Sequence, residues 1–311
     1  MIQQTRRDFL KKSSLGLAGL ALSSNDWLNS AAKPFYEISL AEWSLHKTIF
    51  SGKLSNLDFP QFAKKEFGLE IVEYVNQFFP DKAKDKAYLK ELRTRSVESG
   101  IRNHLIMIDA EGELGEADTQ KRKQAVENHY KWVEAAQFLG CQTIRVNSRG
   151  EGDPKEVAKR CVESLRTLSE FGKAHNINII VENHGGYSAN GAWLAGIMKE
   201  VGMKNCGTLP DFGNFCLEWS GAEWHSQCKT QYDPYKGTAE MMPYAKGVSA
   251  KTFNFDAKGN EPTIDYIKMM NVIKKSGFRG IIGIEYEGET LTEIEGIKKT
   301  IALLKKATSA I

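Results

Sequence analysis

Residues 141–184 read CQTIRVNSRGEGDPKEVAKRCVESLRTLSEFGKAHNINIIVENH. Two short β-branched and apolar runs, 143–146 and 177–181, bracket a long helical pattern at 154–175. Strand, helix and strand in that order make a parallel βαβ unit, because a crossover of this length brings the chain back in its starting direction. The second run ends on Glu182, a carboxylate set directly after apolar residues.

The unit recurs along the chain. Strand candidates stand at 36–40, 70–75, 104–108, 143–146, 177–181, 207–210, 247–251 and 281–284. Helical patterns stand at 57–67, 82–99, 119–139, 154–175, 191–201, 238–244, 264–276 and 292–306. Gly68, Gly100, Gly140 and Gly277 each fall just past a helix and just before a strand, where a left-handed residue ends a helix. Eight βα units predict an α/β fold, a single-domain (β/α)8 TIM barrel. A doubly wound open sheet is the alternative, and the absence of a Gly-x-Gly-x-x-Gly turn after the first strand counts against it. A barrel needs about 250 residues. The 311 present leave room for an N-terminal extension.

That extension reads as a twin-arginine leader. Thr5-Arg6-Arg7-Asp8-Phe9-Leu10-Lys11 precedes an apolar stretch at 15–22, and Ser30, Ala31 and Ala32 suit a cleavage site. The expected division is a signal peptide at 1–32 and a barrel at 33–311, in a periplasmic or otherwise exported protein. The apolar stretch is too short for a bilayer span, which takes about 20 residues, so no stable membrane anchor is expected. Removing the leader leaves 38 basic and 37 acidic residues with no basic run, which argues against a nucleic-acid partner. Whether the chain is a homo-oligomer is left open.

The five cysteines include no Cys-x-x-Cys pair. Cys141, Cys161 and Cys206 read as small core residues, while Cys216 and Cys228 fall in or near one loop, their pairing open. That loop, 215–236, is the longest irregular segment and carries Trp219, Trp224, His225, Tyr232 and Tyr235. Rings in that number predict a lid or wall over the barrel mouth, where Trp219 and Trp224 would stack on a sugar face. Packing of the rings onto the barrel is the competing reading.

Catalytic groups of such barrels stand at the C-terminal strand ends. Glu182 ends strand five, Asp211 strand six and Glu285 strand eight. Three like charges at one mouth repel one another, and a divalent cation with oxygen ligands relieves the repulsion. The predicted cofactor is therefore Mn, Mg, Co or Zn on Glu182, Asp211 and Glu285. Strand parity sets Arg145 and Asn147 on one face, and Glu182 and His184 on one face. Asn147, His184, Asn214, Trp43 and Glu73 join the two tryptophans as candidate substrate contacts, with a buried ion pair as the other reading of Glu73.

Val-Glu-Asn-His at 181–184, Pro-Asp-Phe-Gly-Asn at 210–214, Ser-Ala-Lys at 249–251 and Ile-Glu-Tyr-Glu-Gly at 284–288 occur in this order. Together they resemble the xylose isomerase-like sugar isomerase and epimerase family over about residues 35–308. That family includes tagatose and psicose 3-epimerases and hydroxypyruvate isomerase, and endonuclease IV shares its barrel. The resemblance implies that Glu182 and Glu285 bind metal and move the substrate proton, with Asp211 a further ligand, through an enediolate. Two positions depart from the family pattern. Ser249 stands where the family has a histidine ligand, and Asn214 where a second histidine is common. Lys251 is then a candidate catalytic residue, able to supply positive charge itself.

These readings predict an isomerase or epimerase acting on a small-molecule carbohydrate, a keto sugar or glycoside. The alternatives are a lyase that cleaves 3-keto-glycosides by β-elimination and a non-catalytic sugar-binding barrel. Endonuclease chemistry is disfavoured, because the endonuclease IV site is rich in histidine.

Overall fold

The computed structural model describes residues 35–221 and 227–311. The leader at 1–32, Trp224 and His225 lie outside the described residues. The described strands are β1 (Tyr36–Ala41), β2 (Ile71–Val75), β3 (Arg102–Met107), β4 (Thr143–Val146), β5 (Asn178–Glu182), β6 (Cys206–Leu209), β7 (Cys216–Trp219), β8 (Cys228–Gln231), β9 (Val248–Thr252) and β10 (Gly280–Tyr286). All but β7 and β8 form one parallel sheet in the order β6-β5-β4-β3-β2-β1-β10-β9. Single bridges, Thr208 to Ala245 and Asp211 to Ser249, join its two edges. The fold is the expected (β/α)8 barrel, closed at its last seam by a few backbone bonds rather than a full ladder.

Among the described residues eight helices surround it: α1 (Phe59–Phe67), α2 (Lys86–Glu98), α3 (Thr119–Leu139), α4 (Pro154–Ala174), α5 (Gly191–Val201), α6 (Pro234–Met241), α7 (Tyr266–Lys275) and α8 (Glu293–Ser309). A short helical turn, His46–Phe50, follows β1. Aspartates start many of the helices. The Asp153 side chain accepts from Lys155 N and Glu156 N, with Pro154 in the first turn. Asp233 starts α6 the same way, so α6 begins before the expected 238. Gly140 closes α3 at φ 80°.

Period-two alternation splits each strand. Val72, Tyr74, Ile106, Ile144, Ile179, Val181 and Ile284 pack outward with the helices. Val75, Leu105, Met107, Ile180 and Leu209 make a small apolar cluster apart from them. Residues two along on several strands are polar, and the upper interior is charged rather than apolar. Burying charge in this way is tolerated only where it is paired.

The 215–236 segment corrects the expectation of an irregular loop. It holds the antiparallel hairpin β7–β8, and a Cys216–Cys228 disulfide ties its strands. Cys141, Cys161 and Cys206 are buried free thiols, as expected.

Candidate active site

Glu182, Asp211 and Glu285 come together as the strand ends required. One oxygen from each lies within 4.8 Å of the others. Ser249 and Lys251, two apart on β9, enter the same group. Lys251 Nζ is 3.0 Å from Glu285 Oε1, 3.1 Å from Glu287 Oε2 and 3.8 Å from Asp211 Oδ2. Ser249 Oγ is 2.6 Å from Asp211 Oδ2 and 2.8 Å from Glu285 Oε2. A hydroxyl has one proton, so it serves these two oxygens in turn.

Burial governs the charges here. It pushes the Glu182 carboxyl well above the usual carboxylate range, against the nearby Arg145. It raises Asp211 to about 6, opposed by Lys251 and the Ser249 hydroxyl. Burial alone would discharge Lys251, but Asp211, Glu285, Glu287 and Glu182 outweigh it and hold the ammonium well above the usual lysine range.

Across the cleft, Arg145 spans two carboxylates. Its Nη1 is 2.8 Å from Asp109 Oδ1, and its Nε is 2.8 Å from Glu182 Oε2. The second contact is a charge pair without an aligned hydrogen bond. Asn147 Nδ2 also donates to Asp109 Oδ1, at 2.7 Å. Burial would raise Asp109, but the Arg145 charge and the hydrogen bonds from Arg145 and Asn147 outweigh it and hold the carboxyl well below its ordinary range. Burial likewise pushes the His184 imidazole well below the usual histidine range, with Arg145 adding to the effect. The neutral ring suits the observed contact, in which Arg149 Nη2 approaches Nδ1 to 2.5 Å.

Between these walls lies a cleft of about 410 Å³, lined by Trp43, His46, Asp109, Arg145, Arg149, His184, Glu285, Glu287 and others. Trp43 Nε1 donates to Glu287 Oε1 at 2.5 Å, which links the rim to Lys251. Trp43 and His184 thus stand where the sequence suggested, and Asn147 stands beside them on Asp109. Asn214, Glu73 and Trp219 are not among the residues that line the cleft. Asn214 holds Glu182 Oε1 through its amide at 3.0 Å. Glu73 lies within the barrel, accepts from Ser39 at 2.6 Å and is raised to about 7 by burial. A Cβ on Gly283 would come within 2.8 Å of both Glu73 carboxylate oxygens, so a larger residue there would displace that carboxylate. Trp219 is on the hairpin. Glu287 and Arg149 were missed. Glu287 shares strand parity with Glu285, a signal that was present. Arg149 lies in the loop after β4, where parity says nothing.

The cluster fits a divalent cation on donor chemistry: three buried carboxylates converge, and Glu182 Oε2 accepts no aligned hydrogen bond. Glu182, Asp211 and Glu285 would hold it. Lys251 and Ser249 compete for lone pairs of the last two.

Residues 62–307 match the model of a family described as xylose isomerase-like TIM barrel. A curated relative, the alpha subunit of a C-glycoside deglycosidase from Arthrobacter globiformis, is 34% identical over 70 residues. That match covers 22% of this chain and 20% of the relative, so the chain spans about a fifth of the length of the curated protein it matches. A solved D-tagatose 3-epimerase-like protein superposes with a TM-score of 0.66 at 17% identity, covering 88% of this chain and 97% of that one. An IOLI protein crystallised with a zinc atom gives 0.65 at 16%, covering 88% and 98%. At these identities the likeness to both structures is one of fold.

Proposed function

This chain belongs to the xylose isomerase-like TIM barrel family, and from that premise we propose that it is an exported sugar isomerase or epimerase, one that takes a proton from the carbon beside the carbonyl of a keto sugar or keto-glycoside. The observation that carries this reading is the buried convergence of Glu182, Asp211 and Glu285 around Lys251 at the strand ends. A base and a cation side by side are what enolisation requires.

Glu285 faces the cleft and removes the proton; the C–H electron pair becomes the C=C bond, and the carbonyl π pair moves onto the oxygen. Lys251 Nζ and the Ser249 hydroxyl are donors for the developing oxyanion. Glu182, held by Arg145 and Asn214, returns a proton: to the opposite face for epimerisation, to the neighbouring carbon for isomerisation. A divalent cation on the three carboxylates would polarise the carbonyl and its adjacent hydroxyl. The Cys216–Cys228 disulfide supports the export reading, since such bonds persist in oxidising compartments.

The test is solvent deuterium exchange into 3-keto-glucose, psicose and tagatose, followed by product analysis. Deuterium beside the carbonyl with a new epimer or isomer is the expected result; no exchange into any of them overturns the reading. The stretch similar to a C-glycoside deglycosidase favours a second outcome of the same first step. In a 3-keto-glycoside, loss of the C2 proton expels the group at C1, the C1–O bond breaks, and the departing oxygen takes a proton. Release of aglycone without epimer would select that outcome.

A further inference from the structure

Large apolar side chains are seldom left in water without a use. Phe50 is 60% exposed, and its ring borders Trp43, which lines the cleft. It closes the turn after β1, where its ring meets Phe78 edge-on at 5.1 Å and Trp43 at 6.2 Å. Trp43 in turn lies nearly parallel to His46, at 5.0 Å and 14°, and to Phe78, at 5.9 Å and 24°. Trp43 and Phe78 are anchored on the apolar cluster of Val75, Leu105 and Met107. Trp43 and His46 also line the cleft beside Glu285 and Glu287. Four rings therefore run without a break from the reacting carboxylates to solvent. Their inner end is fixed, because the Trp43 indole donates to Glu287, whose other oxygen touches Lys251.

A monosaccharide seated over Glu285 and Lys251 has no need of the outer end of this row. The cleft, at about 410 Å³, is also in the range that takes ligands larger than one sugar ring. We propose that the row is an aglycone subsite and that the ligand is a glycoside carrying a planar aromatic group, which stacks on the exposed Phe50 ring with its edge toward Trp43 while its sugar ring occupies the cleft. This rests on the sugar reading above and deepens it. Ring-on-ring contact supplies the preference, and the Trp43–Glu287–Lys251 chain sets how far the sugar reaches inward.

The test separates the two ideas by using ligands that cannot react. Phenyl and methyl β-D-glucopyranoside lack the ketone, so titration calorimetry of the whole protein reads binding alone. The phenyl compound is expected to bind about tenfold more tightly than the methyl one. Phe50→Ala, at an exposed position, reduces that ratio to below about threefold, and Phe50→Tyr, which keeps the ring, retains it. Equal affinities in the wild type, or a preference untouched by Phe50→Ala, overturn the proposal. Failure of deuterium exchange with a phenyl preference intact would instead sink the enolisation chemistry and leave the subsite standing.

Discussion

On one wall of the cleft Arg145 sits between Asp109 and Glu182; on the other Lys251 sits among Asp211, Glu285 and Glu287. Both walls alternate cation and carboxylate in a dry interior, where an unpaired charge of either sign is costly. The cations differ in kind. A guanidinium is planar, permanently charged and rigid in its donor directions, which suits holding two carboxylates at a set spacing. An ammonium is a compact charge with three donors that turn, on a flexible stem. Around Lys251 the lone hydroxyl of Ser249 is shared by two carboxylates, so its one proton can turn from one to the other, whereas the fork of Arg145 is fixed. The arginine wall positions Glu182; in the proposed reaction the lysine wall faces the reacting carbon.

Removing the two cations should therefore hurt differently. Lys251→Met takes away the charge beside the base and the oxyanion, and kcat/KM for deuterium exchange is expected to fall by about 10³-fold or more. The fall should appear in kcat. Arg145→Lys keeps a charge but loses the fork, so Glu182 is held loosely. A drop of about 10²-fold is expected, with the protein still folded by circular dichroism. Equal losses in the two variants, or a larger one for Arg145→Lys, would erase the distinction between the walls. Ser249→Ala should cost less, about tenfold, because it removes the neutral one of the two oxyanion donors while the charged one, Lys251, remains.

The sequence showed the two walls unequally. Glu182, Asp211 and Glu285 were legible because each follows an apolar run, and an acid in that position is drawn to a strand end. The barrel was legible for the same local reason, repeated eight times. Partners across strands were not. Asp109 and Arg145 stand 36 positions apart in the chain yet share a hydrogen bond, set by the β3–β4 register. The β7–β8 hairpin escaped notice because its strands are only four residues each, Cys-Leu-Glu-Trp and Cys-Lys-Thr-Gln, with no apolar alternation and the second mostly exposed. Glu73 looked like a candidate for the mouth because it resembles a recurrent position of the family. Only depth in the barrel separates it from Glu285, and depth depends on the tilt and stagger of the strands.

A third buried base shows what happens when no carboxylate is supplied. His104 on β3 is 5% exposed, and its Nε2 has no hydrogen-bond partner among the described residues. Burial, helped by the positive charge of Arg102, pushes its pKa down to about 4. Lys251 and Arg145 keep their charge in equally dry surroundings because carboxylates touch them. The lowered value fixes the sign of a pH effect. The unfolded chain takes up a proton near pH 6.5 and the folded chain only near 4. The stability from keeping this ring neutral is thus complete above 6.5 and lost as pH falls toward 4. The loss is at most about 3 kcal/mol. His104→Gln should flatten the fall in denaturation midpoint between pH 7 and pH 4.5, leaving exchange activity at pH 7 within about twofold. An unchanged acid slope would mean that His104 is charged in the fold, and that pairing with a carboxylate is not what separates the lysine and arginine walls from the rest of the interior.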